Sequence, residues 1–150
     1  MSADWATLSR SEVRDVGVQR VECELERLGW SVRRSEDARS NLLAARRGAR
    51  EIEVHVRVVR RLNYTFLTKR SFAPSPDRYV AYVRLPDGSP LELYLIPSQA
   101  WESPDELLPS RDFGAGMSSE SEYGIQVSQG RLEELEHRFA WATSAREHLG

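Results

Sequence analysis

The stretch NLLAARRGAREIEVHVRV, residues 41–58, decides how this chain is read. Its second half alternates. Ile52, Val54, Val56 and Val58 fall on one face of a strand, and Glu51, Glu53, His55 and Arg57 on the other. Gly48 separates it from the LLAARR segment, so the whole reads as a β-hairpin turning at Gly48. Two carboxylates, an imidazole and a guanidinium in one row fit three descriptions: an active site, the remains of one, or a solvated strand face.

Upstream, Ser9 and Glu12 have capping-box spacing, and Val13, Val16, Val21, Leu25 and Leu28 recur at helical intervals. This predicts a helix from about Glu12 to Leu28 that stops at Gly29, followed by a short strand over Trp30 to Arg34. Downstream, Tyr64 to Leu67 is expected to extend the sheet. RYVAYVRL (78–85) and LELYLIP (91–97) are strands joined by the turn PDGSP. Residues 98–121 are rich in Pro, Gly and Ser and read as a long surface loop, with one helical turn around Trp101. YGIQV (123–127) is a last short strand, and Ser128 opens a terminal helix with Leu132, Leu135, Phe139 and Ala142 on one face. The order is that of an α/β or α+β domain with one sheet flanked by helices.

The 150 residues are 40% hydrophobic, 29% charged and 9% aromatic, too apolar for a disordered segment and long enough for a real core. No run approaches the roughly 20 apolar residues of a membrane span, and no secretory signal is visible. The single cysteine, Cys23, has no partner for a disulfide or a zinc site. A cytoplasmic, reducing environment fits. The net charge of −2 makes no global case for nucleic acid, but residues 33–70 are rich in arginine and 102–136 lean acidic.

Most chemistry-bearing residues have ordinary explanations. Gly114 and Gly116 lack the strand before and the helix after that a phosphate loop needs. His137 and His148 read as exposed residues of the terminal helix, too far apart for one metal. Cys23 reads as inert packing near the apolar face of the first helix. No serine-nucleophile motif is present. The hairpin is what remains. Metal-dependent phosphodiester cleavage uses two acidic groups to hold a divalent cation, plus a lysine near the attacking water. On a strand, E-x-K supplies an acid and a lysine on one face, with the second carboxylate coming from the neighbouring strand.

The segments LERLGW, SNLLAARRGAREIEVHVRV, DRYVAYVRLPDGSPLELYLIPS and EYGIQVSQGRLEELEHRF, in that order, resemble the PD-(D/E)xK nuclease superfamily. The likeness runs from about Val13 to Phe139 and is strongest to the small stand-alone, Holliday-junction-resolvase-like branch and its bacterial members. There the hairpin reads D-L-x-A, a glycine turn, then [IV]-[EQ]-V-K-T. The resemblance implies a restriction-endonuclease-like single domain over residues 1–150, with a core of about 12–142, an N-terminal tail of 1–8, and a central mixed sheet flanked by helices.

Carried onto this chain, the acidic ligand falls on Asn41, the E or Q on His55 and the lysine on Arg57. The glutamate that some relatives place on the first helix falls on Val18. None of these positions holds its usual residue. Asn41 offers a carbonyl without charge, His55 is softer than Mg²⁺ prefers, and Arg57 stays protonated. The resemblance therefore implies a pseudoenzyme that binds nucleic acid or a protein partner, with no cofactor expected. Asn41, His55 and Arg57 mark the vestigial motif, and Arg57, Arg60, Arg61, Lys69 and Arg70 are the expected phosphate contacts. The partner is DNA or RNA, another protein or a second copy, with no membrane role.

Two alternatives stay open. An active endonuclease with a migrated site would hold Mg²⁺ or Mn²⁺ with Glu53, His55 and a carboxylate from Asp37 or Glu36. A protein-interaction subunit without a nucleic-acid role would use Trp101 and the proline-rich stretch 103–109.

Overall fold

The computed structural model describes residues 5–36, 41–112 and 120–150. Asp37, Gly114 and Gly116 lie outside the described residues. Helix α1 (Arg10–Arg27) starts where the capping box predicts: the Ser9 hydroxyl accepts from the Glu12 N–H, and the Glu12 carboxylate accepts from the Ser9 N–H. It ends at Leu28 because Gly29, at φ 90°, takes the left-handed conformation and its N–H turns back to the Glu26 carbonyl.

Strands β1 (Ser31–Arg34), β2 (Leu42–Arg47) and β3 (Arg50–Val59) form an antiparallel meander. The hairpin turns where predicted, at Gly48 (φ 61°), and its register sets Leu43 opposite Val54 and Arg47 opposite Arg50. Strand β5 (Arg78–Arg84) lies parallel to β3, and β6 (Glu92–Pro97) returns antiparallel to β5. The result is the expected architecture, a central mixed sheet flanked by helices, in the order β1-β2-β3-β5-β6.

Alternation along these strands divides the interior in two. One face carries Leu43, Ala45, Ile52, Val54, Val56, Ala81, Val83 and Leu95. These pack under Val13, Val18, Val21 and Leu25 of α1 and under Ala145 and Leu149 of helix α3 (Trp141–Leu149). Gly17 brings α1 close enough that a Cβ there would overlap the Val58 side chain. The other face carries Val80, Tyr82, Tyr94 and Ile96 under a second layer. That layer is a small antiparallel sheet of β4 (Tyr64–Thr68), β7 (Ser110–Arg111) and β8 (Glu122–Gln126), with helix α2 (Leu132–Phe139).

Four expectations are corrected here. Tyr64 to Leu67 does not extend the main sheet; it pairs with β8, because Leu67 and Ile125 must share one inward face over the core. Of the stretch read as a surface loop over residues 98–121, the described residues 98–112 do not lie on the surface throughout, since Leu107 and Leu108 are fully buried and Trp101 donates its indole N–H to the Gly124 carbonyl at 2.9 Å. Prolines and serines signal irregular backbone, and irregular backbone can still fill a core when apolar side chains punctuate it. The terminal helix is two helices, broken at Ala140 (ψ 134°), whose backbone bridges to Tyr94 at the sheet edge. His137 and His148 therefore sit on different helices. Finally, Cys23 is exposed rather than packed. Among the described residues, no helix is long and apolar enough to cross a membrane.

Candidate functional site

From His55 on, the polar face of β3 points at the second layer, while Glu51 at its start is exposed. His55 is packed edge-on against Phe72, with ring centroids 4.9 Å apart, and its side chain is only 15% exposed. Phe72 reaches it because the crossover from β4 to β5 folds over this face before the chain enters β5 beside β3.

Glu53 stands at the edge of that cover. Parallel pairing places Arg78 in register with it, and the Arg78 Nε donates to Glu53 Oε2 at 2.7 Å. His55 Nε2 lies 3.2 Å from the same oxygen. A second bond from Arg78 to the Ala73 carbonyl fixes the guanidinium from behind. Burial pushes the Glu53 carboxyl up, but the hydrogen bonds from Arg78 and His55 outweigh it and hold the group below the ordinary carboxylate range. Burial lowers the His55 pKa; the nearby Glu53 opposes this, while the positive charges of Arg57 and Arg78 add to it. His55 is therefore neutral near pH 7.

Arg57 lies deeper. Its Nη1 donates to the Val56 carbonyl at 3.2 Å, and among the described residues no carboxylate pairs with it. Burial lowers its pKa, yet a guanidinium keeps its proton at any relevant pH. The neighbouring strands hold a further polar cluster that the linear pattern hid. Arg84 binds both oxygens of Glu92 at 2.7 and 3.0 Å, and the Tyr94 hydroxyl donates to Glu92 at 2.6 Å. Burial and Glu92 together push the Tyr94 pKa up.

Asn41 is not part of this group. Its carbonyl accepts from the Val56 N–H, which places it opposite Val56. There it lines an open cleft of 620 Å³ on the α1 side of the sheet, with Val13, Arg14 and Val58. His55 and Arg57 face the other way. Val18, where a helix glutamate would stand, is core. Glu36 is exposed in a shallow groove beside Arg33, Arg34 and Leu42. The expected phosphate contacts are dispersed. The Arg60 guanidinium binds the Trp5 and Leu8 carbonyls at 3.1 and 2.9 Å. Lys69 pairs with Asp112 at 2.7 Å and Arg70 with Glu120 at 3.4 Å. Arg61 is exposed.

These donors do not suit a divalent metal. Mg²⁺ demands hard oxygen ligands near octahedral geometry, and Glu53 is already held by a guanidinium. A cation beside it would face both Arg57 and Arg78. Among the described residues, no three His, Cys, Asp or Glu side chains converge. Reasoning along the chain missed Arg78; its signal is a basic residue at the first position of a strand, after the SFAPSPD loop.

Neither a protein-family model nor a curated protein matches the chain. Among solved structures, a Holliday junction resolvase (Hjc) from Archaeoglobus fulgidus is similar at 13% identity and a TM-score of 0.43. The match covers 88% of this chain and 94% of that one. A likeness at this identity and score carries no argument about function.

Proposed function

We propose that the chain is a PD-(D/E)xK nuclease-like domain whose motif strand no longer hydrolyses phosphodiesters, and that it serves as a nucleic-acid-binding module. One observation carries this reading. Of the two carboxylates on this face of β3, Glu53 is neutralised by Arg78 and Glu51 is exposed and lies 3.7 Å from Arg46, and the lysine position is a half-buried guanidinium. A guanidinium that keeps its proton cannot accept one from water, and a carboxylate already paired offers a metal little charge. Arg61, Lys69 and Arg70 support binding: Arg61 is exposed, and solvated ion pairs such as Arg70–Glu120 are weak enough to exchange for phosphate.

The test incubates purified protein with supercoiled, linear and branched DNA in Mg²⁺ and in Mn²⁺, alongside a low-salt gel shift with DNA and RNA. Binding without cleavage is expected. Cleavage that is lost in Glu53→Ala or His55→Ala would establish the migrated-site endonuclease instead. Absence of any shift would move the reading to a protein partner, although Trp101, its original support, is buried.

A further inference from the structure

On the α1 side of the sheet, away from the Glu53–His55 row, the 620 Å³ open cleft is ringed by Arg10, Arg14, Arg60 and Arg61, with Asn41 and Asn63 on its rim. We infer that this cleft is an anion site that takes phosphoryl groups, with Arg10, Arg14 and Arg61 as its direct contacts. The inference goes beyond the reading above, which drew on the strand row and the β4 end.

Charge placement is the first argument. Many arginines elsewhere stand in ion pairs, among them Arg20 and Arg27 with Glu24, Arg46 with Glu51, and Arg138 with Asp105 and Glu134, and others such as Arg47 and Arg111 are held by carbonyls or an aromatic ring. Arg10, Arg14 and Arg61 have no acidic partner among the described residues. Arg14 is half-buried in this state. One acid, the exposed Asp87, reaches the cleft wall.

Helix geometry is the second. Arg10 and Arg14 are one turn apart on the same face of α1, where like charges repel and weaken a helix. Across the cleft, Arg60 follows the end of β3 and pins the Trp5–Thr7 turn through the Trp5 and Leu8 carbonyls. Those bonds use one of its two terminal nitrogens, so N–H donors remain on the other. Four guanidinium groups converging on a concave wall focus positive potential into it. A phosphate offers each a bidentate partner and relieves the Arg10–Arg14 repulsion.

Two sources share this chemistry, a nucleic-acid backbone and a free phosphorylated small molecule, and one experiment separates them. Fluorescein-labelled single- and double-stranded DNA oligonucleotides are titrated by anisotropy across a salt series, and pyrophosphate is titrated by calorimetry. The Arg10→Gln/Arg14→Gln/Arg61→Gln variant is compared with Arg20→Gln/Arg27→Gln/Arg146→Gln, which removes equal charge elsewhere. Melting curves check folding, and single Arg10→Gln and Arg61→Gln variants, both at exposed positions, stand in if the triple variant does not fold.

The cleft variant is expected to lose about tenfold or more in affinity against the control, with the salt slope reduced by about 1 for each lost phosphate contact. Loss for the oligonucleotide assigns the cleft to a nucleic-acid backbone. Pyrophosphate binding that is lost in the cleft variant, where the wild type binds no oligonucleotide, assigns it to a small phosphorylated ligand and leaves the inference standing while the nucleic-acid reading falls. Unchanged affinity of the cleft variant for every probe that the wild type binds overturns the inference, and where an oligonucleotide is among those probes the nucleic-acid reading stays intact. No binding of either probe by the wild type overturns both.

Discussion

Arg78 and Glu53 join neighbouring parallel strands through a 2.7 Å ion pair, two positions before His55 on the same face of β3. The same pair links β5 to β3 at the start of their ladder. Its presence sets the electrostatics of everything deeper on that face.

Arg78→Gln is therefore expected to cost about 1 kcal/mol, discounted for the partial exposure of both partners. Glu53 has a lowered pKa in the folded state, so its contribution is present above the unfolded carboxylate pKa and fades as pH falls through the folded value. Urea midpoints measured across the acid range should show a shallower pH slope in Arg78→Gln than in wild type. Equal slopes would mean that His55 alone holds Glu53 down.

His55 acts over a higher pH window. Its folded pKa lies below the ordinary histidine value, so the unfolded chain binds the proton first as pH drops. Stability is full above about 6.5 and declines toward the folded pKa. His55→Gln should flatten that part of the profile. An NMR titration showing His55 titrating above the ordinary histidine value would contradict the sign.

Arg57 is a half-buried cation without a carboxylate partner among the described residues, a costly arrangement. Arg57→Met should raise the denaturation midpoint by about 1 kcal/mol equivalent, since the stem volume is kept and the desolvated charge removed. A lower midpoint would show that Arg57 satisfies more of its surroundings than the Val56 carbonyl.

Restoring the nuclease letters should not restore a metal site. Asn41→Asp with His55→Glu and Arg57→Lys places the new aspartate across the sheet from the new glutamate and lysine. Calorimetry with Mg²⁺ is expected to show no gain in binding over wild type. Tight binding together with cleavage would mean that the strands shift to bring position 41 round.

Gly17→Ala tests the close packing of α1 on β3. Helix propensity favours alanine by about 1 kcal/mol, but its Cβ overlaps the stiff Val58 side chain, and overpacking costs about 1–3 kcal/mol. A net loss is expected, and Val58→Ala in the same chain should recover part of it. Thermal melts of the single and double variants decide the matter.

The features legible along the chain are those set by neighbouring residues. The capping box at Ser9 and Glu12, the stop at Gly29 and the Gly48 hairpin follow from local hydrogen bonding and from alternation. The linear pattern therefore determined the first helix, the three-strand meander and the two-sidedness of EIEVHVRV. Alternation cannot say what covers each side. Only the tertiary structure put Phe72 over His55, placed Arg78 on Glu53, buried Leu107 and Leu108, and turned Asn41 toward α1. Each depends on pairing between segments far apart in sequence, where packing of the whole core outweighs local preference. The same non-local pairing turned an apparent row of catalytic groups into a neutralised ion pair and a half-buried cation.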